Sequence, residues 1–237
     1  MKTRFITFGS HGVYVDAAAR LIQQADNINV FTEIKLITSE NLTSEPEFWN
    51  SHKEFVTANA RGFGYWIWKP FIIKKSMDEL ENGDILLYLD AGSEINCKES
   101  GQMRMLFECV KTDKIIGSLT RIENDGEWNK MDLIESLDMN TDYYLNSRQR
   151  QGGVNMFLIC PETRKLVNEW YEIACNYHLI DDSPSIIPNK KGFVEHRHDQ
   201  SIFSLLTKKY NLYSSTPLEG SCIKCLRNLT GKSRLKC

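Results

Sequence analysis

Asp90 stands at the end of the run DILLYL, Asp84 to Leu89, and two residues before Gly92. The run is short, continuous and apolar, which is the pattern of a buried strand. A carboxylate at its end projects into the crevice where open α/β sheets bind ligands. Gly92 has no Cβ and leaves room for a phosphate against the backbone. Together they suit a group transfer in which a diphosphate departs. The charge that develops on the leaving group needs neutralising, and a divalent cation held by carboxylates, Mn2+ or Mg2+, does that. An aspartate after a strand also serves as a turn former or helix cap, and spacing alone leaves both readings open.

A second group, His196-Arg197-His198-Asp199-Gln200, opens a helical pattern. Two histidines at i and i+2 offer a metal ligand, with His198 assigned to that role. His196 reads as a surface residue. Asp199 suits either a base on an acceptor hydroxyl or a cap on the helix that follows. Gly152-Gly153 permits close approach of a sugar or acceptor, or forms a simple turn. Lys69 is a lysine among apolar residues, and lysine is almost never buried without a partner. Arg61 is a phosphate contact or a solvated charge. Cys222 and Cys225 make half of a zinc site, with Cys237 downstream and no histidine near, so zinc is not expected. The tail from Lys224 to Lys236 is basic without an acid, and either stays solvated or rests on anionic lipid.

These residues need a frame. Strand-like and helix-like segments alternate along the chain, which predicts an α/β fold with a mostly parallel central sheet flanked by helices. Strands are expected at Arg4 to Phe8, Val30 to Ile37, Asp84 to Leu89, Lys114 to Leu119 and Gly153 to Ile159. Helices are expected at Asp16 to Ala25, Glu47 to Asn59, Pro70 to Leu80, Met103 to Val110, Asn129 to Leu137, Pro161 to Asn176 and Asp199 to Tyr210. Asp181 to Gly192 reads as a loop, and the last ~20 residues show no period. Three polar or glycine-rich strand ends, at Gly9-Ser10, Asp90-Ala91-Gly92 and His196 to Asp199, converge on one site at one edge of the sheet. The chain reads as one domain over 1–237, with a basic tail from about 218.

A net charge of −2 argues against a general nucleic-acid binder. The N-terminal apolar run is shorter than a secretory signal needs, and no stretch is long enough to span a membrane. The cytoplasm is the expected location, with the inner membrane face as the place for any tail contact. The scattered cysteines, Cys97, Cys109, Cys160 and Cys175, read as buried free thiols. The glycosylation patterns at Asn41 and Asn228 read as chance.

The segment Arg61 to Asn96 also resembles a family of bacterial and viral glycosyltransferases of the GT-A fold. It carries Gly64-Tyr65-Trp66-x-Trp68-Lys69-Pro70, then Gly83-Asp84, an apolar strand and Asp90-Ala91-Gly92. Gln151-Gly152-Gly153 and His198-Asp199-Gln200 are similar too, and the likeness covers roughly residues 3 to 212. The resemblance implies a nucleotide-diphospho-sugar donor across the first strand end and the Asp-x-Gly turn. Thr7, Gly9 and Ser10 would sit by base and ribose, Lys69 by the diphosphate or the acids around it, and Asp90 would hold a metal. The Asp-x-Asp of that fold is replaced, since Gly92 removes a carboxylate; Glu94 is the next one along. Tyr65, Trp66 and Trp68 read as packing residues before sugar-stacking ones. The function expected is hexose transfer to a glycan or lipid-linked glycan. A non-catalytic nucleotide-sugar-binding domain is the alternative. A nucleotidyltransferase ranks below both, because Gly9-Ser10-His11-Gly12 has no basic residue before Arg20.

Overall fold

The computed structural model describes residues 1–214 and 216–235. Lys236 and Cys237 lie outside the described residues, and with them the end of the basic tail and the third cysteine weighed for zinc.

Five strands form the central sheet: β1 (Thr3–Gly9), β2 (Glu33–Thr38), β3 (Ile85–Leu89), β5 (Ile115–Asn124) and β6 (Arg148–Leu158), in the order β2-β1-β3-β6-β5. β1 pairs parallel with β2 and β3, while β6 runs antiparallel to both β3 and β5. Four strands therefore point one way, and the sheet is mostly parallel with helices on both sides. Alternation along the pleat splits each apolar run between two cores. Phe5, Leu87 and Leu89 face the helices Val13–Asn27 and Ser100–Asp113. Ile6, Phe8, Leu86 and Tyr88 face Trp68–Asp78, Pro161–Ala174 and Asp199–Lys209. A strand packed on both faces has no polar side to show, which explains the unbroken run before Asp90.

β6 begins five residues before the apolar stretch that betrays it, so Gly152 and Gly153 lie inside a strand rather than in a turn. The stretch after the last long helix is ordered as well. It follows the outer edge of β5, where Leu218 N donates to Gly117 O (3.0 Å). It then forms β7 (Ile223–Cys225), antiparallel to β4 (Ser93–Ile95) just beyond the Asp90 turn.

Buried side chains hold this segment down. Arg20 donates to Ala91 O (2.7 Å), Ser93 O (2.8 Å), Asn228 O (3.1 Å) and Thr230 O (3.2 Å). Glu94 is fully buried and accepts from Asn228 Nδ2 (2.6 Å), Ser233 Oγ (3.0 Å) and the backbone N–H groups of Arg234 and Leu235 (both 3.0 Å to Oε2). Burial works to raise the Glu94 pKa, but these donors outweigh it and bring it to about 2. The basic tail is thus a clamp through residue 235. Asn228 is buried with its amide engaged, which agrees with reading its glycosylation pattern as chance.

None of the four scattered cysteines is the buried free thiol expected: Cys97 is disulfide-bonded, Cys175 is exposed, and Cys109 and Cys160 are free but only partly buried. No helix among the described residues is long and apolar enough to cross a membrane.

Candidate active site

Three charged side chains meet at the carboxyl end of β3. Lys69 Nζ lies 3.2 Å from Asp90 Oδ1 and 2.9 Å from Asp199 Oδ2. Tyr88, two residues before Asp90 on the same strand face, donates to Asp90 Oδ1 (2.6 Å). Asp90 keeps 47% of its side chain exposed, whereas Asp199 keeps 5% and Lys69 4%. Burial pushes the Asp199 carboxyl up to about 6, Asp90 adds to the shift, and Lys69 opposes it. Burial disfavours the Lys69 ammonium, yet Asp199 and then Asp90 more than compensate, so its pKa lies above the ordinary value.

The two glycines of β6 make this cluster possible. A Cβ on Gly153 would stand 2.1 Å from Asp90 Oδ2, and one on Gly152 would stand 3.1 Å from Asp199 Oδ2. The groups that approach Gly152 and Gly153 so closely are the chain's own carboxylates. Asp90 N also donates to Gly153 O (2.8 Å), and Gly152 N donates to Gln200 Oε1 (3.1 Å). Asp199 is the first residue of its helix, behind an N-cap at His198 that makes no side-chain capping bond, and the Asp199 carboxylate pairs with Lys69.

Lys69 reaches this position through an unusual entry. Gly62, Phe63, Gly64, Tyr65 and Trp66 all hold φ between +51° and +82°. Three of them are not glycine, and each costs on the order of 1–3 kcal/mol in that region. The left-handed run turns the chain so that Trp68 stacks on Phe8 (3.8 Å) and donates to Gly62 O (2.8 Å). Trp68 packs in the core, while Trp66 stays half-buried and open to solvent-filled space.

Two cavities meet over Asp90. One, about 670 Å³, is polar and includes Lys69, Arg121, Gln151, Arg197, Asp199 and Gln200. The other, about 720 Å³, is walled by Phe8, Tyr14, Phe63, Trp66, Trp68 and Tyr88. Arg61, Trp66, Asp90 and Arg227 line both. Ser10 and Gly92 line the aromatic cavity. Arg61 faces both cavities but is paired with Asp182 (2.9 Å) and Glu195 (3.7 Å).

Several assignments need correction. The Thr7 hydroxyl is buried and donates to Leu89 O (2.8 Å), so it is used inside the sheet. Gly9 faces the Val13–Asn27 helix, where a Cβ would meet Tyr14 O at 2.7 Å. His196 is buried, accepting from Lys130 N (3.2 Å) and donating to Leu179 O (2.9 Å), because distant backbone groups satisfy both ring nitrogens. His198 donates from Nδ1 to Ile180 O (2.7 Å) and lies against Tyr65 and Trp66 (ring centroids 5.0 and 5.3 Å). Burial lowers its pKa, so the ring is neutral near pH 7.

The residues do not fit a protein-held divalent cation. The space between Asp90 and Asp199 is taken by the Lys69 ammonium, and Glu94 points into the clamp. Among the described residues no three His, Cys, Asp or Glu side chains gather to hold a metal. Burial pushes the thiols of Cys222 and Cys225 up to about 12, far from the thiolate that zinc binds.

Sequence reasoning missed Arg227, because a basic residue in an aperiodic tail carries no signal of where it will lie. It missed Tyr88 too, although its place two residues before Asp90 on one strand face was available as a signal.

No family model matches the chain, and no curated protein matches it. Among solved structures it is similar to mouse xyloside xylosyltransferase 1 in its apo form. The identity is 11%, the match covers 90% of this chain and 84% of that one, and the TM-score is 0.44.

Proposed function

We propose that the chain is a glycosyltransferase that moves a hexose from a nucleoside-diphosphate donor to a hydroxyl of a glycan, in the assembly of surface polysaccharide or another glycoconjugate. One observation carries the reading: a half-exposed carboxylate, Asp90, stands where an aromatic cavity and a polar one meet at the carboxyl end of a buried strand. The aromatic chamber suits a base and ribose, since flat rings stack on Tyr14 or Trp66. The polar chamber suits a sugar hydroxyl.

In this reading the acceptor oxygen forms a bond to the anomeric carbon as the bond to the β-phosphate oxygen breaks. Asp199 takes the acceptor proton; a carboxyl near 6 is mostly ionised at neutral pH and is basic enough to receive it. Asp90 orients the sugar at the junction. Lys69 holds both carboxylates in place and balances their charge, and Tyr88 fixes the Asp90 rotamer. A lipid-linked acceptor would bring the enzyme to an anionic membrane, which the exposed Lys232 and Arg234 of the clamp suit.

The test is a thermal-shift panel of nucleotide-sugars with and without manganese, followed by a hydrolysis assay on any that binds. A donor at a hundred times its Kd stabilises the fold by about 2.7 kcal/mol. One base class should raise Tm and release free sugar slowly. Binding without hydrolysis or transfer would favour a non-catalytic sugar-nucleotide module, and no binding at all would remove the reading.

A further inference from the structure

A departing diphosphate needs a cation, and the cations around the two cavities are unequal. Lys69 is buried between two carboxylates, and Arg61 is paired with Asp182 and Glu195. Arg227 also lines both cavities, is exposed, and makes no hydrogen bond or ion pair among the described residues. We infer that Arg227 binds the diphosphate of the donor, and that the folded-back segment 217–235 presents it; the inference rests on the donor reading above.

The backbone around Arg227 is built for a fixed position. Asn228 N donates to Gly92 O (2.9 Å), which joins the segment to the Asp90 turn. A Cβ on Gly92 would lie 3.1 Å from Arg227 Cα, so the glycine of Asp-x-Gly makes room for this segment. Arg227 itself holds φ +48°, a left-handed value that a non-glycine residue keeps only when its surroundings impose it, and such residues gather at binding sites. Behind it, buried Glu94 and Arg20 tie down Asn228 and the residues that follow. A guanidinium held over a cavity by a rigid backbone can form two parallel bonds to a diphosphate without first leaving another partner.

Calorimetry on the full chain tests this with uridine, guanosine, adenosine, cytidine and thymidine diphosphates and with the matching nucleosides. The variants are Arg227→Ala and Arg227→Gly. Both should weaken the diphosphate that binds by about tenfold to a hundredfold and leave the matching nucleoside within about twofold. Glycine adopts φ +48° freely, so Arg227→Gly should melt no earlier than the wild type, and its lost affinity cannot come from a lost fold. Undiminished diphosphate binding in both variants would overturn the role of Arg227 and leave the donor reading standing. A wild-type chain that binds none of the five diphosphates would overturn both.

Discussion

Asp199 and Glu94 are both buried carboxylates within one short reach of Asp90 in sequence or space, and their environments drive them in opposite directions. Asp199 is raised to about 6, and Glu94 is lowered to about 2. Burial is the leading influence at both and pushes both upward. What differs is the supply of donors. Glu94 accepts from Asn228, Ser233 and two backbone N–H groups of the clamp, and from Gln24 on the first helix (3.2 Å). Asp199 faces one ammonium that it shares with a second carboxylate. A carboxylate saturated with donors is structural, because every lone pair is engaged. One left short of donors beside a cavity keeps its basicity for a ligand.

The largest expected effect separates the two on activity. Asp199→Asn should cut turnover by about 10²–10⁴-fold if Asp199 receives the acceptor proton. Stability at neutral pH should not fall, since burial disfavours the ionised carboxylate that the amide replaces and Lys69 retains Asp90. Urea unfolding alongside a transfer assay reads both. A loss of stability as large as the one expected for Glu94 would erase the distinction.

Glu94→Gln should show the reverse. The amide keeps the size but turns an acceptor into a donor among donors. The loss should be on the order of 3 kcal/mol, from the difference between a folded pKa of about 2 and the ordinary 4.5. For a chain of this size that lowers Tm by about 6–12 °C. An unchanged Tm would mean that the donors around Glu94 contribute nothing net.

The smallest effect is a slope. Folded Asp199 holds its proton more tightly than the unfolded chain does, so its contribution falls as pH rises from about 4 to about 6. Glu94 is the opposite case: its stabilisation is present above about 4.5 and is lost as pH falls towards about 2. Turnover should rise with pH through about 6 as Asp199 ionises. Tm against pH for the wild type and Asp199→Asn should diverge between about 4 and 6 and run parallel below. Identical curves would place the titration elsewhere.

Much of the frame was legible. The runs before Asp90 and before Cys160 announce strands because both faces are covered, and Pro161 and Asp199 mark helix starts at the residues observed. Asp90, Lys69, Asp199, Gln200, Gly152 and Gly153, which spacing alone left open and the family resemblance brought to one site, lie together. Two kinds of feature were not legible. Arg148 to Gly152 forms half of a strand from polar residues, held by pairing that periodicity does not record. The clamp has no apolar period because it is fixed by Glu94 and Arg20, and polar partners more than a hundred positions apart leave no local trace. His196 was misjudged because its partners, Lys130 N and Leu179 O, are backbone groups of other segments, which residue type and local pattern do not record. Gly92 was legible as a demand for space, but what fills that space is chain rather than phosphate.

The hydrogen bond from Arg20 to Thr230 spans 210 positions. A ribosome adding roughly 5–20 residues per second needs about 10–40 s to make that stretch. Glu94 is made part-way through that interval, and both side chains then precede residues 228–235, which supply much of their hydrogen bonding. The Asp90 turn and the two charges beside it are therefore synthesised well before the segment that packs over them.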